Sequence, residues 1–385
     1  MLRSLFSGIS GLRAHQQMMD VTGNNIANVN TTGYKTSQTV FQDTLSQMVN
    51  AAGAPQGTSG GTNPAQVGLG VRLAGISANF GQGAAQTTGK SSDMMIQGDG
   101  FFVVKSGGEE LFTRAGSFSF DANGALTTPN GQIVQGWSAD NGVINNSGAP
   151  GNISLPTGVT LAPTVTTRIT MTGNFSNEAA PGTSREIPLK VYDADGAAQT
   201  LIATFTKADA DTWTLEMPDG TTADVDFTGG QATGTVSAGG YTFDVNDLTQ
   251  YSGNTEARVS NSDGSAAGIL SSYTVSNTGQ IVGVFSNGLK QTLGQLALAN
   301  FNNVNGLEKI GDSMFRSTVN SGLAQVGAAG SGGLGMITSG ALEMSNVDLA
   351  QEFTNLVIAQ RGFQANSRVI TTSDEILQEL VNLKR

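Results

Sequence analysis

The chain has no cysteine, one histidine, two tryptophans and nine prolines among 385 residues. Without a thiol it can form neither a disulfide nor a thiolate metal site. A single histidine, His15, cannot build a histidine metal cluster. Charge is also scarce, since Asp, Glu, Lys and Arg make up 13% of the residues and the net charge is −11. Lys and Arg are never densely clustered, which argues against a nucleic-acid groove. No run of 18 apolar residues occurs, so no membrane-inserted helix is expected. The first residues show neither a continuous apolar stretch nor an A-x-A cleavage site. Export, if it occurs, is therefore expected to proceed without a cleaved secretory signal.

Glycine is plentiful, at 52 residues, and the 38% hydrophobic residues are enough for a lean core. The length suggests two or three compact units. The composition suits a β-rich protein with many tight turns and a polar, weakly charged surface.

The two ends read as helices. Leu2, Leu5, Ile9, Leu12 and Met19 fall at spacings of 3, 4, 3 and 7, with Gln16 in the skipped position. That is a heptad seam with one polar break, widened by Phe6. It is expected to stop near Gly23-Asn24-Asn25, because Gly and Asn tolerate positive φ. At the other end Leu342, Leu349, Leu356, Phe363, Ile370 and Leu377 recur every seven residues, broadened by Phe353, Val357, Val369, Ile376 and Leu380. Ser345 to Asp348 offers capping oxygens, and Lys384 and Arg385 suit the helix dipole at the far end. At 1.5 Å per residue the helices should span roughly 30–40 Å and roughly 50 Å. Their stripes are too narrow to stand alone. They can close on each other within one chain or bury the remaining seam against other copies, and the pattern alone leaves both open.

The middle reads as β. Met94–Ile96 and Phe101–Val104 flank the turn Gly98-Asp99-Gly100, Phe112 to Phe120 alternates, and Ile133–Trp137 follows. Between Asn145 and Leu270 the composition shifts to Thr, Asp, Ala and Gly, with strands expected at 187–192, 199–206, 212–216 and 241–245. Strands resume at 272–275, 280–285, 297–301 and 314–317. The fold class expected is therefore mixed and mostly β: a discontinuous, coiled-coil-like helical domain (1–30 with 342–385) and two β-rich domains. The first β-domain takes 91–144 with 271–326, and the second, 145–270, is inserted into it. Residues 31–90 with 327–341 should connect them, with flexible or irregular linkers at Asn50–Val67 and at Gly327–Gly335, which holds five glycines.

No catalytic pattern is persuasive. Ala84 to Ser91 matches a relaxed phosphate-loop pattern, but no buried strand precedes it and a β-like segment, not a helix, follows. Asp193-x-Asp195-Gly196 starts like a calcium loop and lacks the later ligands, so a hairpin turn is the better reading. Trp137 and Trp213 read as core. Neither an active site nor a cofactor or metal is expected.

The ends carry a more specific signal. Ser7–Leu12 and the run from Asp20 to Lys35, with Gly23, Asn24, Asn25, Asn28 and Gly33, resemble the N-terminal signature of the bacterial flagellar rod and hook proteins. Ser345 to Leu380, with Asn366 and Arg368, is similar to that family's C-terminal signature. Gly98–Phe102 and Phe112–Phe118 are similar to its first β-domain. The resemblance covers about half the chain, and the segment 145–270 has no part in it. Family members with a long second β-domain belong to the hook branch, whereas the distal rod proteins are shorter. That contrast points to the hook branch over the rod. A secreted β-rich adhesin is the alternative from another class.

The resemblance implies a structural subunit exported through the flagellar type III channel without cleavage and located outside the cell. It implies helical self-association, with the terminal helices forming an inner core and the β-domains outer layers. The implied partners are other copies of the chain, the distal rod protein, the hook cap and hook–filament junction proteins, and the export apparatus.

Overall fold

The computed structural model describes residues 2–55, 60–155, 158 and 160–383, with only the backbone of Leu2. The Leu2 side chain of the N-terminal seam, the terminal Lys384 and Arg385, and residues 56–59 of the expected linker lie outside the described residues. The chain divides into two units. One comprises Met1–Pro156, Thr274–Val282 and Thr292–Arg385, and the other Thr157–Tyr273 and Gly283–Gln291. The second begins at Thr157, where the insert was expected over 145–270, and it takes in Gly283–Gln291, which the sequence reading gave to the first β-domain.

In the first unit, helix α1 (Leu2–Ala27) and helix α2 (Leu349–Asn382) carry the chain ends. At 26 and 34 residues they measure about 39 and 51 Å. Asp348 caps α2, its carboxylate accepting from the amides of Ala350 (2.9 Å) and Gln351 (3.3 Å). Two expectations shift. First, α1 runs through Gly23-Asn24-Asn25 to Ala27, because Asn25 spends its side chain on other segments and does not compete with the helix backbone. Second, Leu342 keeps the heptad phase but is not helical. It lies in the short strand Ala341–Glu343, paired with β5 (Ala85–Thr87), ahead of the cap.

The expected Asn50–Val67 linker is largely a hairpin. Strand β1 (Ser37–Asp43) pairs antiparallel with β4 (Val71–Ala78), and β2 (Ser46–Asn50) continues the ribbon with β3 (Ala65–Gly68) and the bridge Gly53–Thr62. The β1–β4 part lies against α1. Its inward residues Ser37, Thr39 and Phe41 alternate with exposed Gln38, Val40 and Gln42, as a half-covered strand requires. The Gly327–Gly335 stretch is also ordered. Gln325–Ala328 pairs with Lys290–Asn300, Gly335 donates to the carbonyl of Asp99 at 2.7 Å, and a Cβ on Gly335 would lie 2.5 Å from the oxygen of Gln97. Gly335 allows this close backbone approach, whereas Gly330, Gly332 and Gly333 turn the chain at positive φ.

The β core of this unit forms where strands Phe101–Ser106, Glu109–Thr113, Ile133–Asp140, Lys290–Asn300 and Met314–Arg316 meet. Phe101, Phe112, Trp137, Phe301 and Phe315 are buried together, with Phe80 packed at the edge. Phe112 and Phe301 meet edge-on at 4.8 Å, and Phe101 and Phe315 at 5.7 Å, the geometry that ring quadrupoles favour. The Ala84–Ser91 segment holds β5 and a turn that donates from Thr88 and Gly89 to the carbonyl of Gly340. It has no helix to cradle a phosphate.

The second unit has its own sheet. Strands Ser184–Tyr192, Ala198–Lys207, Thr212–Glu216 and Thr222–Thr228 form an antiparallel meander. Gln231–Ala232 joins it to Tyr241–Tyr251, which runs parallel to Arg168–Ser176. Alternate residues face inward, burying Phe175, Phe205, Trp213, Phe227 and Phe243. Trp213 and Phe175 stack at 4.5 Å. The Asp193–Gly196 segment is a hairpin turn, with Asp193 accepting from the amides of Asp195 and Ala197.

Candidate functional site: a helix pair and the charged node at its root

The helices run antiparallel and touch through small residues. A Cβ on Gly8 would lie 3.4 Å from Ile370, one on Gly11 2.7 Å from the side-chain oxygen of Asn366, and one on Gly362 2.5 Å from the ring of His15. Gly8, Gly11 and Ala14 are buried on α1. On α2 the buried positions are Glu352, Ala359 and Ser373, with half-buried Asn366 completing a seven-residue repeat. Asn366 is held by donation to the carbonyl of Gly362 at 2.8 Å. The closest contact between the helices is thus a stripe of small and polar residues, beside the large-residue seam read from sequence.

That seam stays partly open. Leu5, Ile9, Leu12 and Met19 on α1 and Leu356, Phe363, Ile370 and Leu377 on α2 are half-buried, and Leu349 and Phe353 are exposed. Phe6, Val357, Ile358, Val369, Ile376, Leu380 and Val381 are exposed as well. Arg368 is exposed, its carbonyl accepting from the hydroxyls of Thr371 and Thr372. Gly23 is half-buried, and a Cβ there would meet nothing within 4 Å, so sterics do not explain it.

At the root of the pair the other signature residues converge. Asn25 is buried. Its side-chain oxygen accepts from the Tyr34 hydroxyl (3.0 Å) and the Ser37 amide (3.0 Å), and its amide donates to the Ser37 carbonyl (2.8 Å). Asn24 donates to the Tyr34 hydroxyl at 3.3 Å, and Asn28 bonds back to Asn24. Gly33 has φ +67° and donates to the carbonyl of Glu343, and a Cβ there would lie 2.5 Å from the backbone nitrogen of Ala115. Only glycine fits that approach at that φ.

Beneath them lies a charged node. Lys35 and Glu343 pair at 2.6 Å with side chains 0% exposed. Arg114 reaches the other carboxylate oxygen at 3.4 Å, and the Gly83 amide donates to the first at 2.8 Å. Lys35 also donates to the carbonyl of Gly81, and Arg114 to that of Gly98, each at 2.8 Å. Asn346, three residues on, accepts from the Thr36 amide and donates to the carbonyls of Asn79 and Gly81. Burial pushes Lys35 and Arg114 below their usual ranges, and the Glu343 carboxylate opposes that shift. A buried ion pair adds little net stability but strongly penalises losing one partner. The node therefore fixes one arrangement of segments around residues 35, 83, 114 and 343. In the sequence Lys35 and Arg114 lie inside the signature segments with nothing to mark this role, and Glu343 stands outside them. A lone Glu between Leu342 and Met344 gives no periodic signal.

Residues 5–35 match the family model described as flagella basal body rod protein. Residues 95–176 match the flagellar hook protein FlgE/F/G D1 domain, and 338–383 the flagellar basal body rod FlgEFG protein C-terminal. The chain is 38% identical to "Flagellar hook protein FlgE" of Borreliella burgdorferi over an alignment of 443 positions, covering 100% of each chain. The chain belongs to the flagellar hook protein family.

The protein of the same name from Salmonella typhimurium is 35% identical over 99% of this chain and 100% of its own. The family is one of flagellar structural proteins, and its hook members place the chain in the extracellular part of the flagellum. A Bacillus subtilis protein named flagellar basal-body rod protein FlgG is 34% identical over 386 residues, with full coverage of both chains. A crystal structure of Helicobacter pylori flagellar hook protein FlgE2 superposes with a TM-score of 0.53 at 15% identity, covering 67% of this chain and 100% of that one, a likeness of fold. Among the described residues, no helix is long and apolar enough to cross a membrane.

Proposed function

We propose that this hook subunit polymerises helically by packing its helix pair against the pairs of neighbouring copies, forming the inner wall of a tube with β layers outside. The observation that carries this reading is the division of labour on α2. Its repeat of small and polar residues (Glu352, Ala359, Asn366, Ser373) meets α1, while the apolar flank from Phe353 through Ile376 to Val381 stays exposed. Head-to-tail burial of such flanks generates a filament rather than a closed ring when the rotation does not close. In this reading the tube is curved and flexible and acts as a universal joint that transmits torque from rod to filament. Its ends contact the distal rod protein, the hook cap and the hook–filament junction proteins, and subunits arrive uncleaved through the export apparatus. The distal rod remains a second reading, favoured by the end-to-end match with the Bacillus subtilis rod protein.

The test is assembly of the full chain, followed by sedimentation and electron microscopy. Phe353→Asp with Ile376→Asp should abolish polymers while circular dichroism and the monomer's unfolding midpoint stay close to the parent. Polymers of the double variant equal in yield to the parent's would overturn the reading. Straight, stiff polymers would favour rod over hook.

A further inference from the structure

Two aliphatic side chains on the first unit stand fully in solvent, Val319 at 104% and Leu323 at 92% relative exposure. The loop that carries them is fixed. Ser321 between them is wholly buried, its hydroxyl donating to the Thr318 carbonyl at 2.9 Å and accepting from the Thr318 amide at 2.9 Å. The Thr318 hydroxyl donates to the Gly306 carbonyl at 2.6 Å, and Asn303 holds the carbonyl of Asn320 at 3.0 Å. A rigid loop with two exposed aliphatic side chains is a preformed knob, because its ordering entropy is already spent. Residues 317–325 contain no charged side chain, so the surface that receives them should be apolar and electrically neutral.

The same chain carries such a surface. A groove of about 730 Å³ lies at the corner where the β1–β4 ribbon turns into β2–β3, lined by Asp43, Thr44, Leu45, Leu69 and Arg72. Leu45 is 81% exposed there, and Leu69 is exposed beside it. The flanking charges, Asp43 and Arg72, are of opposite sign and leave the groove neutral. It too is preformed. Thr44 donates from its amide and hydroxyl to the Gly70 carbonyl, Leu69 donates to the Leu45 carbonyl, and the Ser10 hydroxyl accepts from the Val71 amide.

We infer that the Val319–Leu323 knob of one copy seats in the Leu45–Leu69 groove of a second copy. This rests on the polymer reading above and adds a contact outside the helices. Knob and groove are different patches, so the contact is heterologous and can propagate along an open filament. Burying two aliphatic side chains that were fully exposed removes apolar surface from water, which lowers the concentration needed for assembly.

Because the chain has no cysteine, Leu323→Cys and Leu45→Cys each carry a single thiol. Under mild oxidation at assembling concentrations, a mixture of the two variants should give a cross-linked dimer joining position 323 to position 45. Each variant alone should give at least tenfold less. Equal cross-linking by Leu323→Cys alone would mean that knobs meet each other, and no cross-link in the mixture would mean that the groove is not the partner; either result overturns the proposal. Val319→Asp with Leu323→Asp should raise the critical concentration about tenfold while Ser321 keeps its hydrogen-exchange protection, and unchanged assembly would also overturn it. Failure of the polymer reading is seen separately, as the absence of tubes from the parent chain.

Discussion

Lys35 and Glu343 are 308 positions apart in sequence, and their charged groups meet at 2.6 Å with no exposure to solvent. The pair joins the segment after α1 to the segment before α2, and Arg114 adds the β core to the same carboxylate.

Glu343→Gln would keep an acceptor for the Gly83 amide and remove the negative charge between two buried cations. The expected loss is about 3–5 kcal/mol of unfolding free energy, the range for breaking a buried pair. Denaturant titration of the monomeric full chain measures it. A loss below about 1 kcal/mol would mean that the node is hydrated or replaceable.

Gly362→Val would place a branched side chain where the His15 ring now sits, 2.5 Å from the added Cβ. Overpacking of this kind costs about 1–3 kcal/mol, and it should splay the helices and weaken assembly. Adding His15→Ala should return most of the loss, since contacting residues couple. Additive losses in the double variant would show that the helices do not meet at this point.

Tyr34 gives a pH test. Burial, and next the charge of Glu352, raises its phenol above the usual 10.0. A group raised in the folded state contributes stability below its unfolded value, and that stability is lost as pH climbs through the folded value. Lys35 and Lys309 are lowered, chiefly by burial, and act in the opposite sense, since their penalty is relieved as pH approaches 10.5. Tyr34→Phe isolates the tyrosine. It should cost about 1 kcal/mol near neutral pH, from the lost bond to Asn25, and flatten the fall in stability as pH rises above about 10. Identical alkaline slopes for parent and variant would refute this.

The helices and most strands were legible because both have periods that apolar residues report. Thr212–Glu216 and Gln280–Phe285 fall where alternation placed them. Leu342 misled because a strand residue happened to share the heptad phase. The closest helix contact was hidden for a different reason: it is made by Gly8, Gly11 and Gly362, which carry no hydrophobic signal. Composition also reads 327–335 as flexible or irregular, although Gly335 there serves a close backbone contact with Gln97. The node joins residues too distant in sequence for any local pattern.

The 308-residue separation of Lys35 and Glu343 also sets an order of events. Closing a flexible loop of that length costs about 5 kcal/mol in chain entropy, before α1 and α2 can gain anything from meeting. Folding of the intervening β units shortens the effective loop and removes most of that cost. A chain that emerges N-terminus first therefore cannot complete its helix pair until its last residues have arrived and its β units have formed. The sticky flank is assembled last, which acts as a built-in timer against premature association.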